Sequence, residues 1–555
     1  MEKDLSIKKN FEFALKNHQE NNLKVAEKFY KKVLEINPNH FESTFLLGTL
    51  SAQIKNFDLA KQLLLKTIQI NPNYADAHNN LGNVLTELKE FEKAKSCYKK
   101  AIQINPNYAD AHNNLGVALK ELGEHQKAIS CYKKAIQIQP NHASAHYNLG
   151  IVFRELNDFK NAISFYEKAI QIKSNYSEAH HGCGSVFRDL GDFQKAINSF
   201  EQATKSQPDN LAYLYPLSDL KKEILNPNFR NKIENIIKND NATKRNMAFG
   251  NYLLAKYEHK IKNYEKEIDY LIKGHTYYFQ LKKKRFTRQL KYWLDVLPNI
   301  SKQINLNKLD KNINQNNHQV KPIFIIGVPR CGSTMVEKII ASSTKYIPIG
   351  EETGIIEMLI KDQIEKKQLL KTKMKDFQLK IIEKYNQKGL IQEKSDYTFT
   401  DKSLDNFFYI GLIKEIFPNA KVINCKRNAL SSIMSILQNN LIALAWAHDI
   451  EYIFKYFDIY YQMIEDYKKI FPNFIYELQY EKFVNSPGIE SKKLLKFCGL
   501  PWDKKCLEFY KRKDIVCKTT SNVQIRDAIY KNSLNKYVPY KKFLDKYGNK
   551  YSWFN

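Results

Sequence analysis

The sequence predicts an all-helical solenoid followed by an α/β domain with a mainly parallel sheet. Three observations carry this reading. A residue pattern recurs every 34 positions between residues 7 and 210. Two apolar runs of strand length, PIFIIG and AKVINCKR, appear only after Lys321. Each run is followed by a helix-like pattern, TMVEKIIAS after the first and LSSIMSILQNN after the second. Strands that alternate with helices argue for a parallel sheet covered on both faces.

The repeats rest on three ladders in register. Pro38, Pro72, Pro106, Pro140 and Pro208 form one, with Ser174 in the place of the missing member. Gly48, Gly82, Gly116, Gly150 and Gly184 form the second, and Ala26, Ala60, Ala94, Ala128, Ala162 and Ala196 the third. Small residues let two helices approach closely, and proline ends the second helix because it lacks the amide the next turn needs. This is the tetratricopeptide pattern, in six copies over residues 7 to 210, the first carrying Ala14 at the glycine position. Stacked copies build a concave surface suited to a protein or peptide partner. Asn80, Asn114 and Asn148 recur just before the Leu-Gly pair and are candidates to hold a peptide backbone. Solvated surface positions are the competing reading.

From 211 to 304 the period is lost but the helical pattern persists, which suggests capping and connecting helices. Residues 305 to 320 are polar and turn-rich, as expected of a linker, and 321 to 555 form the α/β domain.

Composition narrows the class. With 43% apolar residues the chain has enough to pack ordinary cores. No apolar run approaches the roughly 18–20 residues of a spanning helix, the N-terminus has no signal-peptide pattern, and the eight cysteines lack paired metal or redox spacing. A cytoplasmic protein is expected. The net charge of +28 is mostly lysine spread along the chain, not arginine clustered beside aromatics, so no specific nucleic acid is expected, while an anionic nucleotide or an anionic acceptor fits the same sign of field.

The sharpest motif is Gly327-Val328-Pro329-Arg330-Cys331-Gly332-Ser333-Thr334, placed between a strand and a helix. Backbone amides and the helix N-terminus make an anion cradle there. The spacing matches G-x-x-x-x-G-K-[ST] except that Ser333 replaces the lysine, which argues against a triphosphatase or nucleotide kinase. The second strand ends at Arg427, with Ser435 eight residues on in the next helix, a pairing suited to a second phosphate. His448, in an apolar stretch, reads as a packing histidine more readily than as a base.

These residues resemble the sulfotransferases that use 3′-phosphoadenosine 5′-phosphosulfate, with a P-loop-like fold. The match is nearest to repeat-containing bacterial members and to the catalytic domain of protein-tyrosine sulfotransferases. GVPRCGST resembles the loop for the 5′-phosphosulfate, so Pro329, Arg330, Cys331, Gly332, Ser333 and Thr334 are implied donor-binding residues, and CKRNALSSIMS resembles the 3′-phosphate element, implying Arg427 and Ser435. GEET at 350 to 353 resembles the segment carrying the general base, which implies Glu352, and TDKS resembles the segment with the catalytic lysine, Lys402. TTSNVQIRDAIYKNS is similar to the donor-closing segment, with Ser521 as its catalytic hydroxyl and Arg526 among its binding residues. FCGLPWDKKCLEF and Tyr480-Glu481 are similar to structural motifs of the family. Cys331 departs from the usual serine or threonine, and Ala528 from a common proline.

The chemistry asks for the same roles: a base at the nucleophile, and cations at the leaving phosphate. Glu352 suits the first, Lys402 and Arg330 the second, and no metal is required. The implied function is sulfuryl transfer to an acceptor hydroxyl, with a protein or peptide tyrosine favoured. A carbohydrate or small-molecule acceptor (a polysaccharide among them) and a non-catalytic peptide-binding scaffold are the alternatives.

Overall fold

The computed structural model describes residues 2–306, 319–343, 346–366, 374–512, 528–529 and 534–554. The chain divides into two compact units, Met1–Val186 and Phe187–Asn555.

In the first unit antiparallel helix pairs follow one another: Glu2–Gln19 with Leu23–Ile36, Phe41–Gln53 with Phe57–Ile70, and Ala75–Glu87 with Phe91–Ile104. Ala109–Glu121 with His125–Ile138 and Ala143–Glu155 with Phe159–Ile172 continue the series. The ladder alanines from Ala26 to Ala162 are wholly buried. The glycines serve a close approach of an aromatic ring. A Cβ at Gly82, Gly116 or Gly150 would lie 2.4, 2.6 or 2.6 Å from the ring of Tyr98, Tyr132 or Tyr166. Gly116→Ala should therefore destabilise the unit by about 1–3 kcal/mol. Denaturant unfolding checks this, and a companion Tyr132→Leu should recover part of the loss by emptying the space.

The asparagine ladder is tied into the repeats. Asn80 Nδ2 donates to Thr49 Oγ1 (3.3 Å), Asn114 Nδ2 to Asn79 Oδ1 and Asn83 Oδ1 (both 3.1 Å), and Asn148 Nδ2 to Asn113 Oδ1 (2.9 Å). Each bond joins one repeat to the previous one.

The helix Ser177–Leu190 crosses the division between the units, and Phe193–Ser206 lies in the second. Ala196 and Phe200 from that helix share a core with Leu211, Phe229, Leu253 and Leu254. The region expected to connect two domains is therefore part of one of them. Its helices Lys244–Lys260 and Tyr264–Leu281 bring Tyr252 and Leu271 into the same apolar core as the sheet residues Phe324 and Ile423.

The sheet has four parallel strands: β1 (Lys321–Gly327), β2 (Thr398–Asp401), β3 (Lys421–Lys426) and β4 (Ile475–Gln479), in the order β2-β1-β3-β4. β1 is buried from Pro322 to its end, as a strand covered on both faces must be. The chain leaves β1 for one side, then returns to the other for β3. Ligands of such sheets bind beyond the carboxyl ends where the direction reverses.

Buried polar bonds fix the segment after β3. His275 Nε2 donates to the Leu437 carbonyl at 2.8 Å, and His275 Nδ1 lies 3.0 Å from both Tyr252 Oη and His448 Nδ1. His448 also stacks on Tyr278 and Phe286. Burial holds His275 at about 4 and His448 at about 2, so both rings are neutral. His448 is thus a packing residue. Gln438 donates to Glu267 Oε1 (2.8 Å) and to Tyr540 Oη (3.0 Å), pinning the same segment from a second direction. Among the described residues no helix is long and apolar enough to cross a membrane.

Candidate active site

The ends of β1 and β2 meet at one cleft of about 420 Å³, with the end of β3 beside it. Beyond β1, Pro329, Arg330, Gly332, Ser333 and Thr334 line it. Arg330 has a left-handed backbone (φ 71°), a conformation costly for any residue with a Cβ and held only where surrounding structure imposes it. The helix Ser333–Ala341 starts there, so its first amides point toward the cleft. Cys331 contributes backbone alone, because its side chain is wholly buried and its free thiol is hydrogen-bonded with that of Cys425 on β3.

Beyond β3, Arg427 Nη1 donates to the Arg330 carbonyl at 2.9 Å and its guanidinium lies over the Tyr480 ring at 4.8 Å. Arg330 Nε donates to Ser435 Oγ at 3.0 Å. The residues expected at two separate phosphates are therefore joined through Arg330. A further cation, unrecognised in the sequence, sits with them. Lys536 is pushed down to about 8 by burial and by the nearby Arg427, Arg330 and Lys222. Its only sequence signal is one lysine in a lysine-rich tail.

Beyond β2 comes Lys402, 2% exposed. Segment 348–352 runs along the outer edge of this strand. Thr400 N donates to the Pro348 carbonyl, Lys402 N to that of Gly350, and Glu352 N to that of Lys402, at 3.0, 2.9 and 3.3 Å. Gly350 is required, since a Cβ would stand 2.2 Å from the Thr400 carbonyl oxygen. This pairing sets the two glutamates apart. Glu351 Oε1 takes Lys402 Nζ at 2.8 Å, whereas Glu352, left-handed at φ 50°, is exposed and lines the cleft. Lys402 also reaches Thr334 Oγ1 at 3.3 Å and Glu337 Oε2 at 3.5 Å. Burial raises the Glu337 carboxyl while Lys402 lowers it. The carboxyl end of β2 is fixed by Asp401, which accepts from Tyr385, Thr353 and Ser403.

The far wall holds Glu357, Asp405, Asn406 and residues 440–444. Burial raises Asp405 to about 7, a hydrogen bond from Tyr456 (2.5 Å) opposes this, and Glu357 and Glu352 add repulsion. Its folded value exceeds the unfolded 3.8, so its contribution to stability is complete below pH 3.8 and is lost as pH rises through 7. Asp405→Asn stays neutral and should gain on the wild type over that window. Thermal unfolding at about pH 4 and pH 8 checks this: the gap should open only at the higher pH.

Of the expected site residues, Pro329, Arg330, Gly332, Ser333, Thr334, Glu352 and Lys402 share the cleft. Arg427 and Ser435 adjoin it through Arg330. Ser521 and Arg526 lie outside the described residues. Among the described residues there is no group of three side chains fit to hold a metal ion.

A sulfotransferase family profile matches residues 322–504. Tetratricopeptide-repeat profiles match residues 17–40 and 177–210, 63–96, 82–123 and 107–175. An uncharacterized protein of Aquifex aeolicus (strain VF5) is 29% identical over 329 residues, 56% of this chain and 42% of that protein. The chain thus spans less than half the length of that curated relative. Similar solved structures include the MamA protein (28% identity, 30% of this chain, 92% of that one, TM-score 0.28). The pilus biogenesis factor PilW is another (17%, 40% and 98%, 0.35), as is pilF of Pseudomonas aeruginosa (19%, 40% and 100%, 0.35).

Proposed function

We propose that this chain, a tetratricopeptide array followed by a sulfotransferase-family domain, moves the sulfuryl group of 3′-phosphoadenosine 5′-phosphosulfate to an acceptor hydroxyl. The observation that carries the reading is the meeting of Arg330, Lys402 and Glu352 in one cleft, with Arg427 and Ser435 bracketing Arg330. Cations crowded beyond β1 and β3 fit a ligand with phosphates at both ends, and the amides opening Ser333–Ala341 fit its 5′ end. The donor supplies an activated sulfuryl group when bound.

The residues then divide the work. Glu352 takes the hydroxyl proton as the acceptor oxygen bonds to sulfur and the bond from sulfur to the leaving phosphate oxygen breaks. Lys402 and Arg330 offset the charge gathering on that oxygen. Glu351, bonded to Lys402 at 2.8 Å, aims the ammonium and is not the base. Peptide tyrosine is our favoured acceptor, on the resemblance of the GEET segment, and a protein or peptide partner is proposed for the solenoid. The inter-repeat bonds of Asn80, Asn114 and Asn148 support a role in shaping that face. Seven unpaired cysteines among the described residues support a reducing, cytoplasmic setting.

Calorimetry with two nucleotides tests the donor. 3′-Phosphoadenosine 5′-phosphate should bind at least about 100-fold more tightly than AMP, which forgoes two charge-assisted bonds at Arg427 and Ser435. Equal affinities would remove the assignment.

A further inference from the structure

The cleft is electrically two-sided. Its donor half carries Arg330 and the amides after β1, but the half beyond Glu352 is walled by Glu352, Glu357 and Asp405 with the neutral chain 440–444. Among the described residues no lysine or arginine lines that wall. Lys402, at the boundary, is bonded to Glu351 and Glu337. Lys361, one turn beyond Glu357, moderates its charge from outside the cleft, over the Tyr292 ring at 5.5 Å. Among the described residues neither Glu357 nor Asp405 makes an ion pair; both are half-buried, and each carboxyl is raised chiefly by burial. This stands against a chain with 87 basic and 59 acidic residues, where a carboxylate wall is not the background expectation.

A second feature points to a ligand at the same place. Asn440 is 9% exposed and, among the described residues, neither its amide oxygen nor its amide nitrogen has a hydrogen-bond partner; Asn406, 2% exposed, leaves its Nδ2 without one there too. Both line the cleft. Buried amides unsatisfied on one wall forfeit free energy unless something bonds to them. The three carboxylates do not form a group fit for a metal ion, so the cation that suits them is organic.

We propose that the acceptor is a cationic hydroxyl compound, its ammonium or guanidinium group held by Glu357, Asp405 and the Asn440 carbonyl while its hydroxyl reaches Glu352. This rests on the sulfuryl-transfer reading and narrows it: a peptide acceptor would carry lysine or arginine beside its tyrosine, not acidic residues. Two probes sharing one phenol and differing in charge make the test. Binding of tyramine and of 3-(4-hydroxyphenyl)propionate is measured by calorimetry on the full chain, with and without 3′-phosphoadenosine 5′-phosphate. Tyramine should bind about tenfold or more tightly than the propionate. Glu357→Gln with Asp405→Asn should erase that ratio while leaving nucleotide affinity intact, which also shows that the variant folds. Equal binding of the probes, no measurable tyramine binding, or a ratio unmoved by the double substitution would overturn the proposal. Should tyramine selectivity hold while the nucleotide fails to bind, the acidic subsite stands and the donor assignment falls. Nucleotide binding without selectivity has the reverse meaning.

Discussion

Replacing Glu352 by Gln is expected to lower kcat about 10²–10⁴-fold, the range typical of a positioned general base. Glutamine keeps the shape and the strained backbone at φ 50° but cannot take a proton. Donor affinity should hold, because Glu352 belongs to the acceptor side of the cleft. Its neighbour cannot take over the task, since Glu351 already bonds Lys402 at 2.8 Å. The assay is release of 3′-phosphoadenosine 5′-phosphate by Glu352→Gln and, in parallel, by Glu351→Gln. If the first variant kept turnover within tenfold of wild type while the second collapsed, the base would be Glu351.

Lys402→Met should fail in two separable ways. Stability is the first. Lys402 is buried against Glu351 and the wholly buried Glu337, and removing one partner of a buried pair costs about 3–5 kcal/mol. Without the ammonium, burial of the Glu337 carboxyl is opposed by Lys338 and the Thr400 hydroxyl but no longer by Lys402, so its pKa rises further. A carboxyl raised above its unfolded value of 4.5 contributes stability below that pH and loses it as pH climbs through the folded value, so the deficit should grow with pH. The second failure is catalytic, about 10²–10³-fold in kcat, from lost compensation of the leaving group's charge. Adding Glu337→Gln separates them: unfolding measurements should show stability restored, and turnover should stay low. Turnover that recovered with stability would make Lys402 a structural residue only.

Much of this was legible because it is periodic or punctuated. The alanine and glycine ladders read directly as helix pairs, and PIFIIG followed by a glycine-bearing turn gave β1, the loop and the helix after it. β2 and β4 leave no such signal. TFTD is only four residues long, and IYELQ is half-exposed along most of its length, so neither shows a clear apolar run. The acceptor wall was hidden for another reason. Glu357 and Asp405 look like surface acids in a charged chain, and only the fold turns them into one cleft. Asp405-Asn406 within the otherwise apolar LDNFFYIGLI was the available hint. His448 reads as packing from its apolar surroundings, but its partner His275 stands 173 residues away, beyond any local pattern.

That long-range contact bears on how such a protein could arise by recombination. The composition change at Lys321 is the obvious seam, and a gene fusion joining any helical array to residues 321–555 would look harmless on paper. It would discard Tyr252, Leu271, Phe286 and Trp293, which complete the apolar interior of the sheet, and His275, which braces the segment after β3. The transferable cassette instead begins with the helix Ser177–Leu190, which crosses the division between the units. Repeats before it are free to be gained, lost or exchanged, while the helices after it are inherited together with the strands. Lineages sharing this catalytic unit should then vary in repeat number but not in the helical segment that follows.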